Sequence, residues 1–191
     1  MHIGMIERRA YDVSGLKAEL EAAPELWNDL PIRTNFENSP HRESDDIWVR
    51  YNPRNKVYTE SGVSYEGIAG EHDPVWWDCI EKIPSAKNIC ESVSERFNRK
   101  LMGVFITRIP PGKQIYPHKD WGWHATTTDK YVVQIKGDHK QAFCFEDEEL
   151  RANDGDLYWF FNQSTHWVKN ESDRERISLI MALRRETCPV G

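Results

Sequence analysis

The sequence predicts a mainly β fold with flanking helices, in which a jelly roll of seven or eight short strands forms the C-terminal part. After Lys100, short runs of alternating apolar and polar residues are separated by turn residues at intervals of about ten positions, which is typical of a sandwich or barrel. Before Lys100, apolar residues recur at helical spacing in two places. We therefore expect N-terminal helices to pack outside one sheet of a jelly roll.

The composition supports one soluble, folded unit. A chain of 191 residues with 39% hydrophobic and 12% aromatic residues can bury a core, and we expect a single domain. In that domain, residues 1–100 would be mostly helical or irregular, and residues 101–186 would form the jelly-roll core. The net charge of −6 gives no footprint for general nucleic-acid binding. The absence of an apolar run long enough for a membrane span, and of a signal peptide, predicts a cytoplasmic protein.

The cysteines do not form a metal-binding or disulfide pattern. Four are scattered along the chain without a C-x-x-C pair: Cys79, Cys90, Cys144 and Cys188. Reduced, structural thiols are expected, and a zinc site built from them is not.

The first helix and the first strand come from the N-terminal fifty residues. Leu16, Leu20 and Ala23 recur at helical spacing, and Ser14 is a candidate N-cap. Residues 46–51 alternate like a half-buried strand.

The next fifty residues read as an irregular segment followed by two helices. Residues 53–70 are irregular and long enough to cover a site. A helix opened by Asp73 and Pro74 is expected next, and another over residues 85–99, where Ile89, Val93 and Phe97 lie four apart.

Seven strands are expected in the remaining part of the chain. Their separating turns contain glycine, which suits tight or left-handed turns. The strands are predicted near residues 102–109, 114–120, 130–137, 141–146, 155–162, 165–170 and 175–184.

Three residues of this region suit a metal site. His118 and Asp120 are two apart on an extended segment, so their side chains point to the same side. His166 follows forty-eight residues later in another β-rich run. Two imidazoles and one carboxylate on neighbouring strands are the ligands of an open Fe(II) site. The competing motif, His41 with Glu43, lies in a polar loop and is not expected to bind metal.

The last strand carries a candidate anion clamp. Arg176 and Ser178 share one face of it, and an Arg pointing into the same cavity can hold a carboxylate through two hydrogen bonds. The alternative is that His166 packs in the core and Arg176 pairs with a surface acid. The combination of the four residues at these spacings favours the metal site.

Residues 105–185 resemble the double-stranded β-helix core, also cupin-like in architecture, of Fe(II)/2-oxoglutarate dioxygenases. They look most like the aspartyl/asparaginyl β-hydroxylase branch. The resemblance is carried by residues 108–112 with Pro117-His118, by the central strand 130–135, and by residues 155–170. Arg176 stands where the family places the Arg that binds the C5 carboxylate of 2-oxoglutarate, with Ser178 two residues on.

The chain departs from the branch at two positions. Members often lack the carboxylate ligand, which Asp120 supplies here. The Arg-x-His pair usual on the central strand is replaced by Lys130-Tyr131-Val132. The second anchor for 2-oxoglutarate is therefore open between Lys130, Tyr116 and Tyr131.

The resemblance implies a dioxygenase with Fe(II) and 2-oxoglutarate as cofactors. His118, Asp120 and His166 would be the metal ligands and catalytic residues, and the enzyme would hydroxylate a substrate with molecular oxygen while decarboxylating 2-oxoglutarate to succinate. A protein or peptide side chain is the first expectation for the substrate, with a small metabolite or a nucleobase next. Trp121, Trp123 and His124 either line the mouth of the site or pack a loop against its rim.

Two alternatives stay open at this point. One is a cupin-like metal-binding or sensing module without oxygenase activity. The other is a cupin enzyme that does not use 2-oxoglutarate. Neither gives Arg176 a role, and cupins generally carry three or four histidines with a glutamate.

Overall fold

Two β-sheets packed face to face, with helices on the outside of the larger one, build the protein. The structure is a computed structural model and describes residues 1–31, 33–34, 37–53 and 72–185. Its helices are α1 (Ser14–Ala22), α2 (Pro84–Arg96) and α3 (Trp123–Thr127), with short 3-10 helices at Pro24–Leu26 and Asp78–Glu81. Its strands are β1 (Ile3–Glu7), β2 (Asp45–Tyr51), β3 (Val75–Trp76), β4 (Leu101–Ile109), β5 (Gln114–His118), β6 (Thr128–Lys136), β7 (Gln141–Cys144), β8 (Glu149–Leu150), β9 (Leu157–Phe160), β10 (His166–Asn170) and β11 (Arg176–Arg184).

The sheet topology is that of a jelly roll, which confirms the predicted fold class. The large sheet has the order β1-β9-β6-β11-β4-β2-β3, and the small sheet has the order β5-β10-β7-β8. All of their strand pairs are antiparallel. The seven strands predicted after Lys100 are present, and the N-terminal part adds β1, β2 and β3 to the large sheet.

Each face of the large sheet buries a separate apolar cluster. The face away from the small sheet packs against α1 and α2, as the sequence predicts, through residues such as Leu16, Ile89 and Val133. The opposite face packs against the small sheet, where Phe143 meets Tyr158 and Phe160. Alternation along β6 sets this division, because successive side chains of a strand point to opposite faces. The space between the sheets is therefore where inward polar side chains can form a site.

Three N-terminal predictions need correction. The segment after Pro74 is not a helix: Val75 and Trp76 pair with β2 as an edge strand, and a 3-10 helix follows. Asp73 pairs with Lys100 at the surface rather than capping. Ser14 lies inside α1 after the N-cap Val13, and its N–H donates to the Asp12 carboxylate.

The N-terminal part contains one strand that the sequence did not predict and one predicted segment that the structure does not describe. Strand β1 was not predicted, because residues 3–7 show no alternating pattern. The expected irregular segment at residues 53–70 falls almost entirely outside the described residues.

Within the described residues, no helix is long and apolar enough to cross a membrane.

The Asp156 carboxylate ties the turn before β9 to the chain after β1. It is fully buried and accepts hydrogen bonds from Arg9 N at 2.9 Å, Asn153 N at 2.8 Å and Arg8 Nη1 at 2.6 Å. We expect Asp156→Ala to lower the free energy of unfolding by about 3 kcal/mol, because the two segments lose a buried, charged acceptor that three hydrogen bonds share. Urea unfolding tests this, with Glu149→Ala at an exposed ion pair as control. A loss no larger than that of the control would contradict it.

Candidate metal centre

Two adjacent strands of the small sheet bring His118 and His166 together. His118 ends β5, His166 begins β10, and the two are register partners. Their rings are 4.4 Å apart between centroids. Asp120 follows β5, and its N–H donates to the Asn162 carbonyl at 2.9 Å, which holds the chain end beside β10. The pairing predicted from sequence spacing therefore forms.

The donor atoms of the three residues suit one metal ion. One ligand atom from each of His118, Asp120 and His166 lies within 4.8 Å of the others, and His118 Nε2 is 3.7 Å from Asp120 Oδ1. Two imidazole nitrogens and one carboxylate oxygen, with the remaining positions free, form the donor set of non-haem Fe(II) oxygenases. The residues present fit that ion.

Backbone carbonyls orient both imidazoles. His118 Nδ1–H donates to the Tyr116 carbonyl at 2.8 Å, and His166 Nδ1–H donates to the Ser164 carbonyl at 2.9 Å. Because a carbonyl can only accept, Nδ1 carries the proton and Nε2 keeps its lone pair for a metal. Asn162 Nδ2 donates to Asp120 Oδ2 at 3.3 Å, which leaves Oδ1 as the oxygen nearest His118.

The protonation states are those that a metal ligand needs. Burial, followed by repulsion from His166, lowers the pKa of His118 from 6.5 to about 4. Burial also lowers the pKa of His166. For Asp120, burial opposes ionisation, but attraction by Lys130 and the two histidines outweighs it and lowers the pKa. The site thus presents two neutral imidazoles and a carboxylate near neutral pH.

These shifts predict a pH-dependent stability of the metal-free protein. The folded chain keeps His118 neutral to about pH 4, whereas unfolded histidines bind protons below about pH 6.5. As the pH falls through that window, proton binding stabilises the unfolded state relative to the folded state. Each such histidine contributes about 1.4 kcal/mol per pH unit. We expect the free energy of unfolding to decrease from pH 6.5 towards pH 4, and less steeply in His118→Gln. Urea unfolding at several pH values measures it.

The control for this pH dependence is His139→Gln, since the side chain of His139 is 80% exposed. It should leave the slope unchanged. Equal slopes in His118→Gln and in the unsubstituted protein would contradict the assignment of buried, neutral His118.

Arg176 and Ser178 form a buried polar cluster on β11, beside the candidate metal ligands. Arg176 Nη1 donates to Ser178 Oγ at 2.7 Å, and Nη2 donates to the Tyr158 hydroxyl at 2.9 Å. Both hydroxyls donate in turn to Gln134 Oε1, at 3.2 and 3.3 Å. The Gln134 amide is fixed by donation to the Ile177 carbonyl at 2.8 Å. The guanidinium is therefore held in one orientation.

The charge of Arg176 has no counterion among the described residues. The residue is 5% exposed, and no carboxylate of the described part of the chain lies within 4.0 Å of its guanidinium. A buried cation without an anion is costly, and a ligand carboxylate would relieve that cost. The alternative in which Arg176 pairs with a surface acid does not hold.

The three candidate metal ligands lie where a narrow inner recess meets a wider outer cavity. The inner recess is lined by all three ligands together with Arg176 and Ser178. The outer cavity has a volume of about 560 Å³ and shares His118 and Asp120 with the recess. The outer cavity is further lined by Trp48, Tyr51, Phe105, Trp121, His124 and Lys130. A ligand held by Arg176 and a second ligand in the outer cavity would thus meet at the triad.

The three candidates for the second anchor of 2-oxoglutarate lie in different parts of the structure. Lys130 lines the outer cavity, with Nζ 5.7 Å from the centroid of the Phe105 ring. Tyr131 instead packs against Phe97 on the helix-covered face of the sheet, because neighbouring residues of a strand alternate. Tyr116 lies under the Arg42 guanidinium and lines neither space. The structure therefore corrects the expectation for both tyrosines and leaves Lys130.

Sequence reasoning missed several residues of the site. Tyr158 accepts a hydrogen bond from Arg176, and Gln134 accepts from the Tyr158 hydroxyl in turn, yet an aromatic run and a strand glutamine gave no signal of this. His41, set aside as a metal ligand, does not join the triad but packs edge-on against the His118 ring at 4.7 Å. His124 reaches the outer cavity, and its Nε2 lies 3.3 Å from His72 Nε2.

The comparisons with known proteins agree with this geometry. The family model for aspartyl/asparaginyl beta-hydroxylase matches residues 16–186. No match to a curated protein is found. Three solved structures share the fold over almost the whole chain, at sequence identities that show the fold alone.

The first of these is the viral collagen prolyl hydroxylase of Paramecium bursaria Chlorella virus-1 in its 2-oxoglutarate complex. It is 14% identical with a TM-score of 0.53, over 98% of this chain and 97% of that chain. The second is a 2OG-Fe(II) oxygenase family oxidoreductase of Burkholderia pseudomallei, 12% identical with a TM-score of 0.60, over 97% and 86%. The third is a prolyl hydroxylase of Trichoplax adhaerens in complex with a hypoxia inducible factor peptide, 10% identical with a TM-score of 0.61, over 97% and 84%.

The fold, the donor set and the family match define a 2-oxoglutarate-dependent dioxygenase, with Fe(II) and 2-oxoglutarate as its cofactors. More narrowly, the chain belongs to the aspartyl/asparaginyl beta-hydroxylase family. This confirms the predicted enzyme class and family, and decides against the two cupin alternatives.

Proposed function

We propose that the protein hydroxylates an aliphatic carbon of a protein or peptide side chain, with metal and co-substrate held by the residues described above. His118, Asp120 and His166 are the Fe(II) ligands, and Arg176 with Ser178 binds the C5 carboxylate of 2-oxoglutarate. The observation that carries the proposal is the buried Arg176 guanidinium, which has no counterion among the described residues and lies in the same recess as the triad.

The division of the site into two spaces supports the co-substrate assignment. The guanidinium forms a fork of N–H donors that matches a carboxylate, and its hydrogen bonds to Ser178 and Tyr158 fix that fork. A dicarboxylate held there would extend along the recess towards the metal ligands. The apolar walls of the recess, which include Phe143 and Phe160, exclude water and strengthen the charge pairing.

The cofactors and the residues around them have different roles in the reaction. Bound Fe(II) and 2-oxoglutarate supply the oxidising chemistry, in which O₂ and the oxo acid give succinate, CO₂ and one oxygen atom for the substrate C–H bond. His118, Asp120 and His166 would hold the metal with three donor atoms, so that co-substrate and oxygen could bind it as well. The carbonyls of Tyr116 and Ser164 keep both imidazoles in the ligating tautomer. The outer cavity orients the substrate and keeps bulk water away.

The outer cavity supports a peptide side chain as substrate. Its volume of about 560 Å³ exceeds what oxygen needs, and one of its lining residues, Trp121, is 64% exposed. The Trp48 and Tyr51 rings, 4.7 Å apart, offer an apolar wall for an inserted side chain. Among the structures with this fold, the Trichoplax adhaerens enzyme is in complex with a peptide fragment.

Turnover assays with defined pools test the function. The purified protein with Fe(II), 2-oxoglutarate and ascorbate would be offered short peptides in one set and small metabolites in another. We expect succinate release and a product heavier by one oxygen atom with the peptides, and neither product in His166→Gln. Oxygen incorporation only into small metabolites would contradict the peptide assignment, and none in any pool would contradict the hydroxylase.

A further inference from the structure

A separate cavity lies at one edge of the large sheet, where β3 is the last strand. Its volume is about 240 Å³. Three indoles line it: Trp48 belongs to β2, Trp76 to β3, and Trp77 follows β3 directly. None of the described residues that line this tryptophan cavity is a candidate metal ligand. The cavity is therefore distinct from the inner recess and the outer cavity, and the proposed reaction gives it no role.

Backbone contacts hold the walls of the tryptophan cavity in place. The Trp77 N–H donates to the Val49 carbonyl at 2.9 Å, and the Cys79 thiol donates to the Trp48 carbonyl at 3.3 Å. The rings of Trp48 and Trp77 are 6.4 Å apart between centroids, with 26° between their planes. Since these contacts are internal to the protein, the cavity is formed before any ligand enters, as is usual for binding sites.

The charged groups at the tryptophan cavity are all negative. Among the described residues that line it, only Asp29 and Asp78 are charged. Both are exposed, and neither has an ion-pair partner within 4.0 Å in the described part of the chain. Burial, followed by the charges of Asp78 and Asp29, raises the pKa of Cys79 to about 12. The two carboxylates thus act on the same lining residue and leave the cavity with a negative potential.

The indoles of Trp48 and Trp77 are free to receive a cation. Arg50 lies over the third indole, with Cζ 5.3 Å from the centroid of the Trp76 ring. Arg50 does not line the cavity and forms no ion pair with Asp29 or Asp78. Within the described residues, no Lys or Arg lies over the rings of Trp48 or Trp77. Aromatic rings beside unpaired carboxylates suit an organic cation, because the ring faces and the acids both attract positive charge.

We propose that the tryptophan cavity binds a Lys or Arg side chain of the peptide substrate, close in sequence to the residue that enters the outer cavity. This rests on the function proposed above and deepens it, by giving the substrate a basic residue beside the hydroxylated one. The apolar stem of such a side chain packs on the indoles while its charged end meets the carboxylates. The net charge of −6 favours the approach of a basic peptide.

The position of Trp48 connects the two binding events. Trp48 lines both the tryptophan cavity and the outer cavity, so a single side chain separates the two spaces there. An extended peptide advances about 3.4 Å per residue, so two of its side chains within about four residues of each other can occupy both spaces. The basic residue would thus fix the position of the peptide relative to the metal.

Probe binding tests the tryptophan cavity without turnover. Nα-acetyl-arginine methylamide and its neutral isostere Nα-acetyl-citrulline methylamide would be titrated calorimetrically into protein loaded with Fe(II) and 2-oxoglutarate, without oxygen. We expect the arginine probe to bind about 10-fold more tightly, because indoles and carboxylates both favour the cation. Asp29→Asn/Asp78→Asn and Trp77→Leu should each reduce this ratio. Equal affinities in the unsubstituted protein, or an unchanged ratio in the doubly substituted one, would overturn the proposal.

Turnover shows whether the substrate uses the cavity. Peptides that are hydroxylated in the pooled assay would be resynthesised with Arg or citrulline at each of the four positions on either side of the hydroxylated residue. We expect Arg at one of these positions to lower KM by about 10-fold, with little effect on kcat, because the cation binds away from the metal. Asp29→Asn/Asp78→Asn should remove this difference in KM.

The matched control is Glu95→Gln/Asp173→Asn, which removes the same two charges from exposed positions outside the cavity. It should keep the preference for the arginine probe and for the Arg peptide. Hydroxylated peptides whose KM is the same with Arg and citrulline at every position would overturn the proposal. If no peptide is hydroxylated, the proposed function fails instead, while the probe titration still decides whether the cavity binds a cation. The two failures are therefore distinguishable.

Discussion

Replacing Arg176 with methionine is expected to weaken 2-oxoglutarate binding on the order of 100-fold, the equivalent of about 3 kcal/mol, while Fe(II) binding is retained. The guanidinium is the buried cation of the inner recess, and methionine removes both its charge and its fork of donors. The Ser178 and Tyr158 hydroxyls keep Gln134 as a partner, so the variant should fold. Anaerobic titration of the Fe(II)-loaded protein with 2-oxoglutarate measures the affinity.

Two comparisons sharpen this result. Arg176→Lys keeps the charge but loses the fork of N–H donors. Its affinity for 2-oxoglutarate should lie between that of Arg176→Met and that of the unsubstituted protein. Arg174→Met changes an exposed Arg on the preceding turn and should have no effect. If Arg176→Met bound 2-oxoglutarate as tightly as the unsubstituted protein, the inner recess would not be the co-substrate site.

Replacing His166 with glutamine is expected to lower Fe(II) affinity by more than about 100-fold and to abolish turnover. Removing a ligand should exceed the 10–100-fold loss typical of residues that only orient ligands. His166 is 4% exposed, and glutamine fills most of its volume, so the fold should survive. Equilibrium dialysis with Fe(II) under anaerobic conditions gives the affinity.

Asp120→Asn and Asn162→Ala extend this test to the carboxylate. Asp120→Asn should reduce Fe(II) affinity because an amide oxygen is a weaker ligand than a carboxylate. Asn162→Ala removes the hydrogen bond to Oδ2 and should have the smaller, orienting effect. His139→Gln, at the surface, is the control. Normal Fe(II) binding by His166→Gln would show that the metal lies elsewhere.

The core of the fold could be predicted because its strands repeat a simple pattern. In β6, Val132 faces the small sheet and Val133 faces the helices, so alternation along the sequence gives both the strand and its buried faces. Strand β3 could not be predicted in this way. Val75 and Trp76 form a strand because they lie beside β2, and proline followed by aromatic residues equally suits the first turn of a helix.

The grouping of the three candidate metal ligands was predictable, because residues two apart on a strand and residues paired between strands lie close together in space. His118 and Asp120 lie at one strand end, and His166 pairs directly with His118. The supporting groups depend on contacts between strands that are remote in the chain. Gln134 meets Tyr158 and Ser178 because β6 lies between β9 and β11, and nothing in the local sequence of β6 indicates those partners.

The most direct test of the proposed site is an anaerobic titration of the protein with Fe(II) and then with 2-oxoglutarate, followed by visible absorption. We expect the weak charge-transfer band of the chelate to appear when both are present, to be absent in His166→Gln, and to require far more 2-oxoglutarate in Arg176→Met. No band with Fe(II) bound, or an unchanged band in both variants, would contradict the assignment of His166 and Arg176.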